Sequence, residues 1–335
     1  MKALLYILCS IAGINSYAQD QYLVINPDGH KSTIRAMAFD NNGNIITAGS
    51  DKTIKVWDSK RGHIIKEFRG QIGPGSEGMI YAMDLSPDQK YLAVGGWFGK
   101  DDETESLGDV RIYDYKTGKL IKLINKIHEN AVFSLKFTPD SESLIVGDGD
   151  GYIVKWDVLT RIPTVVYESK EYAQVLSIST GPDYFIATFS NGMIYKFNYD
   201  KTKPKKTSNF FNKPKKTINV GTVSSTSQDG EWFTVIGKEL SMVLVFNKKM
   251  SLKQYFFVDN VDKILDINFS PSNKRLIISA QKGGHNKAIV YELFGKAGKC
   301  LWVEPPFYCD YGYNVSVGEN VFFNFIRTDN YNANN

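Results

Sequence analysis

One layout recurs along this chain, and recurrence at a fixed period constrains a fold more than any single motif does. Ile45-Ile-Thr-Ala-Gly-Ser-Asp-Lys-Thr-Ile-Lys-Val-Trp57-Asp58 reads as an apolar strand, a tight turn and a second strand ending in Trp-Asp. Leu144-Ile-Val-Gly-Asp-Gly-Asp-Gly-Tyr-Ile-Val-Lys-Trp156-Asp157 repeats it. Weaker copies end at Tyr113-Asp114, Phe197-Asn198, Phe246-Asn247 and Tyr291-Glu292. The six aromatic positions are separated by 56, 43, 41, 49 and 45 residues. A second marker keeps the same beat, a turn before each middle strand: Asp40-Asn-Asn-Gly43, Ser86-Pro-Asp88, Thr138-Pro-Asp140, Gly181-Pro-Asp183, Ser227-Gln-Asp-Gly230 and Ser270-Pro-Ser272, with Gly318-Glu-Asn320 as a candidate seventh.

Each unit reads as four short strands, in the first near 34–39, 45–50, 54–59 and 63–69. Runs such as Leu144-Ile-Val146, Phe185-Ile-Ala187 and Leu276-Ile-Ile278 lack polar alternation, as strands do when both faces of their sheet are covered. The chain carries 19 Tyr and 20 Phe against 7 Met, a bias toward side chains that pack on pleated surfaces. No helical period is sustained. The expected fold is all-β.

These residues resemble the WD-repeat (WD40) family of β-propellers in its secreted bacterial type, over most of residues 20 to 326. The resemblance is specific in the first and third units. It implies a hydrogen-bonded relay of His, Ser or Thr, Asp and Trp within a blade. His30, Thr47, Asp51 and Trp57 match all four places; His128, Asp150 and Trp156 match three, with Val146 where the hydroxyl would stand. The physics is independent of the family, because a buried imidazole, carboxylate and indole N–H must each find partners.

The resemblance implies a closed ring. Seven blades are expected, with six as the alternative. Gln21–Ile25 is the candidate closing strand, paired on an incomplete last blade built from Tyr313–Val317 and Val321–Ile326. Because that blade lacks a third strand, the natural chain is expected to continue past Asn335.

Residues 1–18 are set apart as a signal peptide. Lys2, the apolar stretch Ala3–Ile14 and the small residues of Ser16-Tyr17-Ala18 point to cleavage before Gln19. A lipoprotein anchor at Cys9 competes, but Leu8 stands where such a signal wants a small residue. The expected organisation is one propeller domain over 19–335, secreted or periplasmic, with no transmembrane segment. Export would permit a disulfide between Cys300 and Cys309, with two free thiols as the alternative.

Catalytic motifs are absent: no His-Glu-x-x-His, Cys-x-x-Cys or Gly-x-Ser-x-Gly occurs. Gly73-Pro-Gly-Ser-Glu-Gly78 has phosphate-loop spacing, but Met79–Leu85 after it reads as a strand rather than a helix. Asp148-Gly-Asp-Gly151 opens like a calcium loop without the acidic twelfth residue. His30, His63, His128 and His285 share no helix-type spacing. No cofactor and no metal site are expected.

Three surface features remain. First, the insertion 97–108, with Trp97, Phe98, Asp101, Asp102 and Glu103, should project beside the loop 70–78 as a partner site. Second, Lys203, Lys205, Lys206, Lys213, Lys215 and Lys216 could grip a polyanion, or simply block edge-to-edge pairing on an outer strand. Third, aligning the first strands brings Arg35, Tyr81, Phe133, Leu176 and Leu265 to one place. In WD-repeat proteins that place lies near the central mouth; an alignment off by one would make these residues ordinary core.

The resulting expectation is a non-catalytic, monomeric platform for a protein or peptide partner. A net charge of +4 gives no field for specific nucleic-acid binding. The alternatives are a propeller enzyme of hydrolase or lactonase type working at the central tunnel, and the recognition module of a longer chain such as a caspase-like peptidase.

Overall fold

The computed structural model describes residues 29–69, 75–98, 110–124, 128, 130–160, 162–199, 205–206, 223–237, 241–283, 285–293 and 300–303. Their regular structure is β throughout, and among them no helix is long and apolar enough to cross a membrane. Blade one holds β1 (Ile34–Phe39), β2 (Ile45–Gly49), β3 (Thr53–Trp57) and β4 (Ile64–Arg69). Blade two holds β5 (Met79–Leu85), β6 (Tyr91–Trp97), β7 (Val110–Asp114) and β8 (Leu120–Ile124). Blade three holds β9 (Val132–Phe137), β10 (Ser143–Asp148), β11 (Tyr152–Asp157) and β12 (Pro163–Glu168). Blade four holds β13 (Val175–Thr180), β14 (Tyr184–Phe189), β15 (Ile194–Asn198) and β16 (Lys205–Lys206). Blade five holds β17 (Ser224–Thr226), β18 (Trp232–Ile236), β19 (Met242–Asn247) and β20 (Leu252–Phe257). Blade six holds β21 (Lys263–Phe269), β22 (Arg275–Lys282), β23 (His285–Glu292) and β24 (Cys300–Val303).

Every sheet is an antiparallel meander with its strands in chain order. Each repeat therefore supplies its own four strands. That corrects the expected count: the described residues form six blades, the alternative number, rather than seven. Blade six completes its sheet with β24 and needs no strand from the chain start. Gln21–Ile25 and the candidate strands after residue 312 lie outside the described residues.

The middle strands are buried on both faces, β2, β10 and β14 along their whole length, which is why they read as unbroken apolar runs. Their partners are the neighbouring blades. Ile46, Ile54 and Phe68 of blade one share a core cluster with Ile80, Leu92 and Tyr113 of blade two. Comparable clusters join blades two and three, three and four, four and five, and five and six. Burying a Leu, Ile or Phe side chain is worth about 1.5–3 kcal/mol, so each interface is a core in its own right.

The turn markers have local causes. Asp40 Oδ1 accepts the amides of Asn42 and Asn44, and the Ser86 and Thr138 hydroxyls accept the amides of Tyr91 and Ser143. Asp58, Asp114 and Asp157, the residue after each repeat aromatic, accept N–H bonds from the next hairpin. Those bonds hold all three carboxyls below their ordinary pKa. The acidic half of the Trp-Asp pair is a turn cap.

Inside blade one the four relay side chains meet. Trp57 Nε1 donates to Thr47 Oγ1 (2.8 Å), which lies 2.7 Å from His30 Nε2, while His30 Nδ1 lies 2.9 Å from Asp51 Oδ2. Blade three departs from the expectation. His128 Nδ1 pairs with Asp148 Oδ2 at 2.7 Å, whereas Asp150 accepts from Asn130 Nδ2. Asp148 sits at the end of β10, fully buried, and its other oxygen accepts the amides of Asp150 and Tyr152. One carboxylate thus serves both the imidazole and the turn. Trp156 Nε1 is buried without an acceptor. Its counterpart would be a hydroxyl at Val146, which pairs with Val154 as Thr47 pairs with Lys55.

Trp57→Ala is expected to cost about 3–5 kcal/mol through the cavity it leaves. Val146→Thr should instead raise stability by about 1 kcal/mol in denaturant titrations, by giving the Trp156 N–H an acceptor. Burial works against the Asp51 carboxylate, but bonds from His30, the Lys31 amide and Thr53 outweigh it, leaving its pKa below 3.8. A depressed carboxyl pKa stabilises the folded state above the unfolded value and loses that contribution as pH falls through the folded one. Unfolding free energy should therefore drop more steeply below about pH 4 in the native chain than in Asp51→Asn.

Candidate functional site

The five first-strand residues aligned by sequence share a backbone feature. In blade one, Ile34 pairs with Gly49 and Ala36 with Ala48, so Arg35 is left over as a β-bulge. Tyr81, Phe133, Leu176 and Leu265 are the extra residues of the same bulge in blades two, three, four and six. A bulge leaves its residue unpaired and re-aims the side chain off the sheet face. Consequently Ile34, Ile80, Val132, Val175 and Ile264, one residue earlier, are buried core, while the five bulge residues are half-buried. They are not the ordinary core that a shifted alignment would have made them.

In blades one and two, close packing behind the bulge demands glycine. A Cβ on Gly49 would stand 2.2 Å from Thr33 O, and one on Gly96 would stand 2.0 Å from Met79 O. No side chain fits there.

Around the mouth the bulge residues touch in series. The Arg35 guanidinium lies 5.7 Å from the Tyr81 ring centroid, and its Nε donates to Ser50 Oγ at 3.2 Å. Tyr81 stacks on Phe133 at 5.7 Å with an interplanar angle of 11°. Leu176 and Val223 continue the wall of a channel of about 200 Å³. One cation over two stacked rings, followed by aliphatic side chains, makes an apolar platform with a positive end.

Deeper in the channel the polar groups are committed to structure. Asp84 accepts from Lys136 Nζ (2.7 Å) and from the Phe137 amide (2.8 Å). Desolvation opposes the Lys136 charge, but Asp84, with Asp266 beyond it, holds its pKa above the ordinary value. Ser134 Oγ accepts the Ile178 amide, Ser177 Oγ the Ser224 amide and Ser225 Oγ the Phe269 amide. The inner strand of each blade is an edge strand, and these side chains satisfy its inward amides from the preceding blade. Asp266 accepts from the Ile267 amide and from Asn268 Nδ2. Among the described residues no three His, Cys, Asp or Glu side chains converge to hold a metal.

The insertion is resolved into two parts. Trp97 ends β6 half-buried, and its carbonyl accepts the Gly78 amide at 2.6 Å, so the insertion and the loop before β5 spring from one corner beside the mouth. Phe98 corrects the expectation of a contact residue: it is 2% exposed, in the cluster between blades one and two, with the Arg111 guanidinium 4.2 Å over its ring. An aromatic at that position fills the seam and does not face solvent. Asp101, Asp102 and Glu103 lie outside the described residues. So do Lys203, Lys213, Lys215, Lys216 and Cys309. Lys205 and Lys206 form the short outer strand β16, paired with Lys196 and Tyr195, and Cys300 opens β24.

Residues 21–58 and 119–157 match the family model described as "WD domain, G-beta repeat". The guanine nucleotide-binding protein subunit beta of Oryza sativa subsp. japonica is 28% identical over 200 residues, 56% of this chain and 50% of that protein. The COMPASS component SWD3 of Saccharomyces cerevisiae is 26% identical over 191 residues, 51% of this chain and 56% of that protein. The chain thus spans about half the length of the curated relatives it matches. Both are eukaryotic, which lends no support to a bacterial, secreted type. The Cps50 (Swd1) β-propeller domain of Myceliophteria thermophila superposes with a TM-score of 0.65 at 12% identity, covering 83% of this chain and 88% of that one. That likeness concerns the fold alone.

Tyr81→Ala and Phe133→Ala are expected to move the melting temperature little, because a half-buried bulge residue leaves no sealed cavity. Phe98→Ala should cost about 3–5 kcal/mol in the same assay.

Proposed function

Taking the chain as a WD40-repeat β-propeller, we propose that it is a non-catalytic scaffold whose central mouth grips a protein or peptide partner. The observation that carries this reading is the convergence of four equivalent bulge residues, Arg35, Tyr81, Phe133 and Leu176, on one opening, with Leu265 at the same bulge in blade six. None of the five is needed to fill a core. Contact hot spots are rich in Arg and aromatic side chains held on a rigid base, and a platform pre-ordered by its blades loses little entropy on binding. The platform suits an apolar or aromatic anchor on the partner, with an acidic group toward Arg35. The paired Asp84 and Lys136 argue against catalysis in the channel, since neither is free to hold a reacting atom.

The proposal also places the mature protein outside the cytoplasm. Its support is Lys2, the apolar run Ala3–Ile14 and the small residues before Gln19.

Two measurements test these readings. Affinity capture by the wild-type chain should recover a partner that Phe133→Asp and Tyr81→Ala lose while melting normally. Equal recovery by all three chains means the mouth is not the site. Amino-terminal sequencing of the natural protein should begin at Gln19; retention of Met1 removes the export reading.

A further inference from the structure

Lysines tie neighbouring blades together at the outer rim. Lys66 on β4 donates to Tyr115 O (2.8 Å) and Lys116 O (2.6 Å) of blade two. Lys122 on β8 donates to Val158 O of blade three, and Lys196 on β15 to Lys248 O of blade five, each at 2.6 Å. A carbonyl at a hairpin corner accepts well from an ammonium brought across on a long stem.

The seam between blades three and four breaks this pattern. Lys66 stands opposite Val56 and Lys122 opposite Ile112, but the matching place opposite Lys155 is held by Thr164. Lys155 itself occupies the position of Lys196, one residue before the repeat aromatic, yet it has no hydrogen bond or ion pair with any described residue. Tyr167 Oη donates to Tyr195 Oη across this seam at 3.0 Å, and beside that contact lies a groove of about 440 Å³, walled by Lys155, Thr164, Val165 and Phe185. Its rim is unusually apolar, with Ile162 63% and Val165 55% exposed, and Leu159 beside it 77% exposed. Asp157 also lines the groove, and its Oδ1 accepts the amides of Leu159 and Thr160.

We propose that this groove is a second docking site, which takes a short extended segment of a partner protein carrying an apolar side chain next to a carboxylate. The apolar group covers Val165 and Phe185, and the carboxylate reaches Lys155 Nζ. The backbone runs along β12, the outer strand of its sheet, which pairs only with β11. Strand addition of this kind uses main-chain bonds for affinity and alternate side chains for choice. Charge decides against the chain's own following segment as occupant, since residues 201–217 carry seven lysines and would repel Lys155. An ammonium with no hydrogen bond or ion pair among the described residues, beside exposed Ile162 and Val165, calls for an acid next to an apolar group.

The test is fluorescence anisotropy on the full chain with a labelled eight-residue peptide of alternating Glu and Leu. Saturable binding is expected. Lys155→Glu should weaken it about tenfold or more, and Thr164→Lys, which restores a staple and fills the seam, should do the same with an unchanged melting temperature. Phe133→Asp should leave it intact, which separates this groove from the mouth. The proposal is overturned if no saturable binding occurs, if Lys155→Glu binds as the native chain does, if Phe133→Asp abolishes binding, or if the Lys and Leu counterpart binds equally well.

Discussion

Covering a sheet on both faces takes another sheet on each side, and that requirement organises this protein from its hairpins to its mouth. The middle strands β2, β10 and β14 carry no polar face to offer water. A single blade would expose most of its apolar surface, so blades are stable only in series. The clusters that join them follow one another along the chain, each drawing residues from one repeat and from the next. Packing of this kind fixes where every inner strand stands, to within the fit of side chains such as Phe98 and Tyr113.

From that fixed placement comes the mouth. The inner strands are edge strands, and their inward amides are met by Asp84, Ser134, Ser177 and Ser225 of the preceding blades. The same strands carry a bulge one residue after the core begins. A bulge costs one ladder pairing, and repeating it in five blades brings Arg35, Tyr81, Phe133 and Leu176 to a common opening. Core and contact surface are therefore adjacent residues of one strand, separated by a single step of register. The outer rim obeys a parallel logic: lysines close three of the seams, and where no lysine reaches from blade three to blade four a groove lies beside Lys155.

Much of this was legible in the residues. The Trp-Asp pairs and the turns before each middle strand marked the hairpins, because both are set by local hydrogen bonds: Asp58 and Asp157 cap the next turn, and Ser86 and Thr138 cap theirs. The equivalence of Arg35, Tyr81, Phe133, Leu176 and Leu265 was also readable from alignment, since a bulge recurs at constant distance from the turn. Other features were not. Asp148 rather than Asp150 meets His128, although both histidines stand four residues before the first core residue of their inner strands, Ile34 and Val132, so spacing did not say which carboxylate the ring would reach. Phe98 looked like the start of a projecting loop, yet it follows directly on β6 and its ring is buried between blades one and two. Lys66 and Lys122 stood in phase, but nothing in the order of residues says which carbonyl a lysine stem will find.

By itself the sequence determined the repeat, the four strands of each unit, the turn chemistry and the all-β class, for these depend on residues a few positions apart. Only the tertiary structure decided that the described units number six, that Arg35, Tyr81, Phe133 and Leu176 share one opening, and that a groove lies beside Lys155 between blades three and four. Those outcomes depend on contacts between residues forty or more positions apart, where packing volume rather than local preference selects the neighbour.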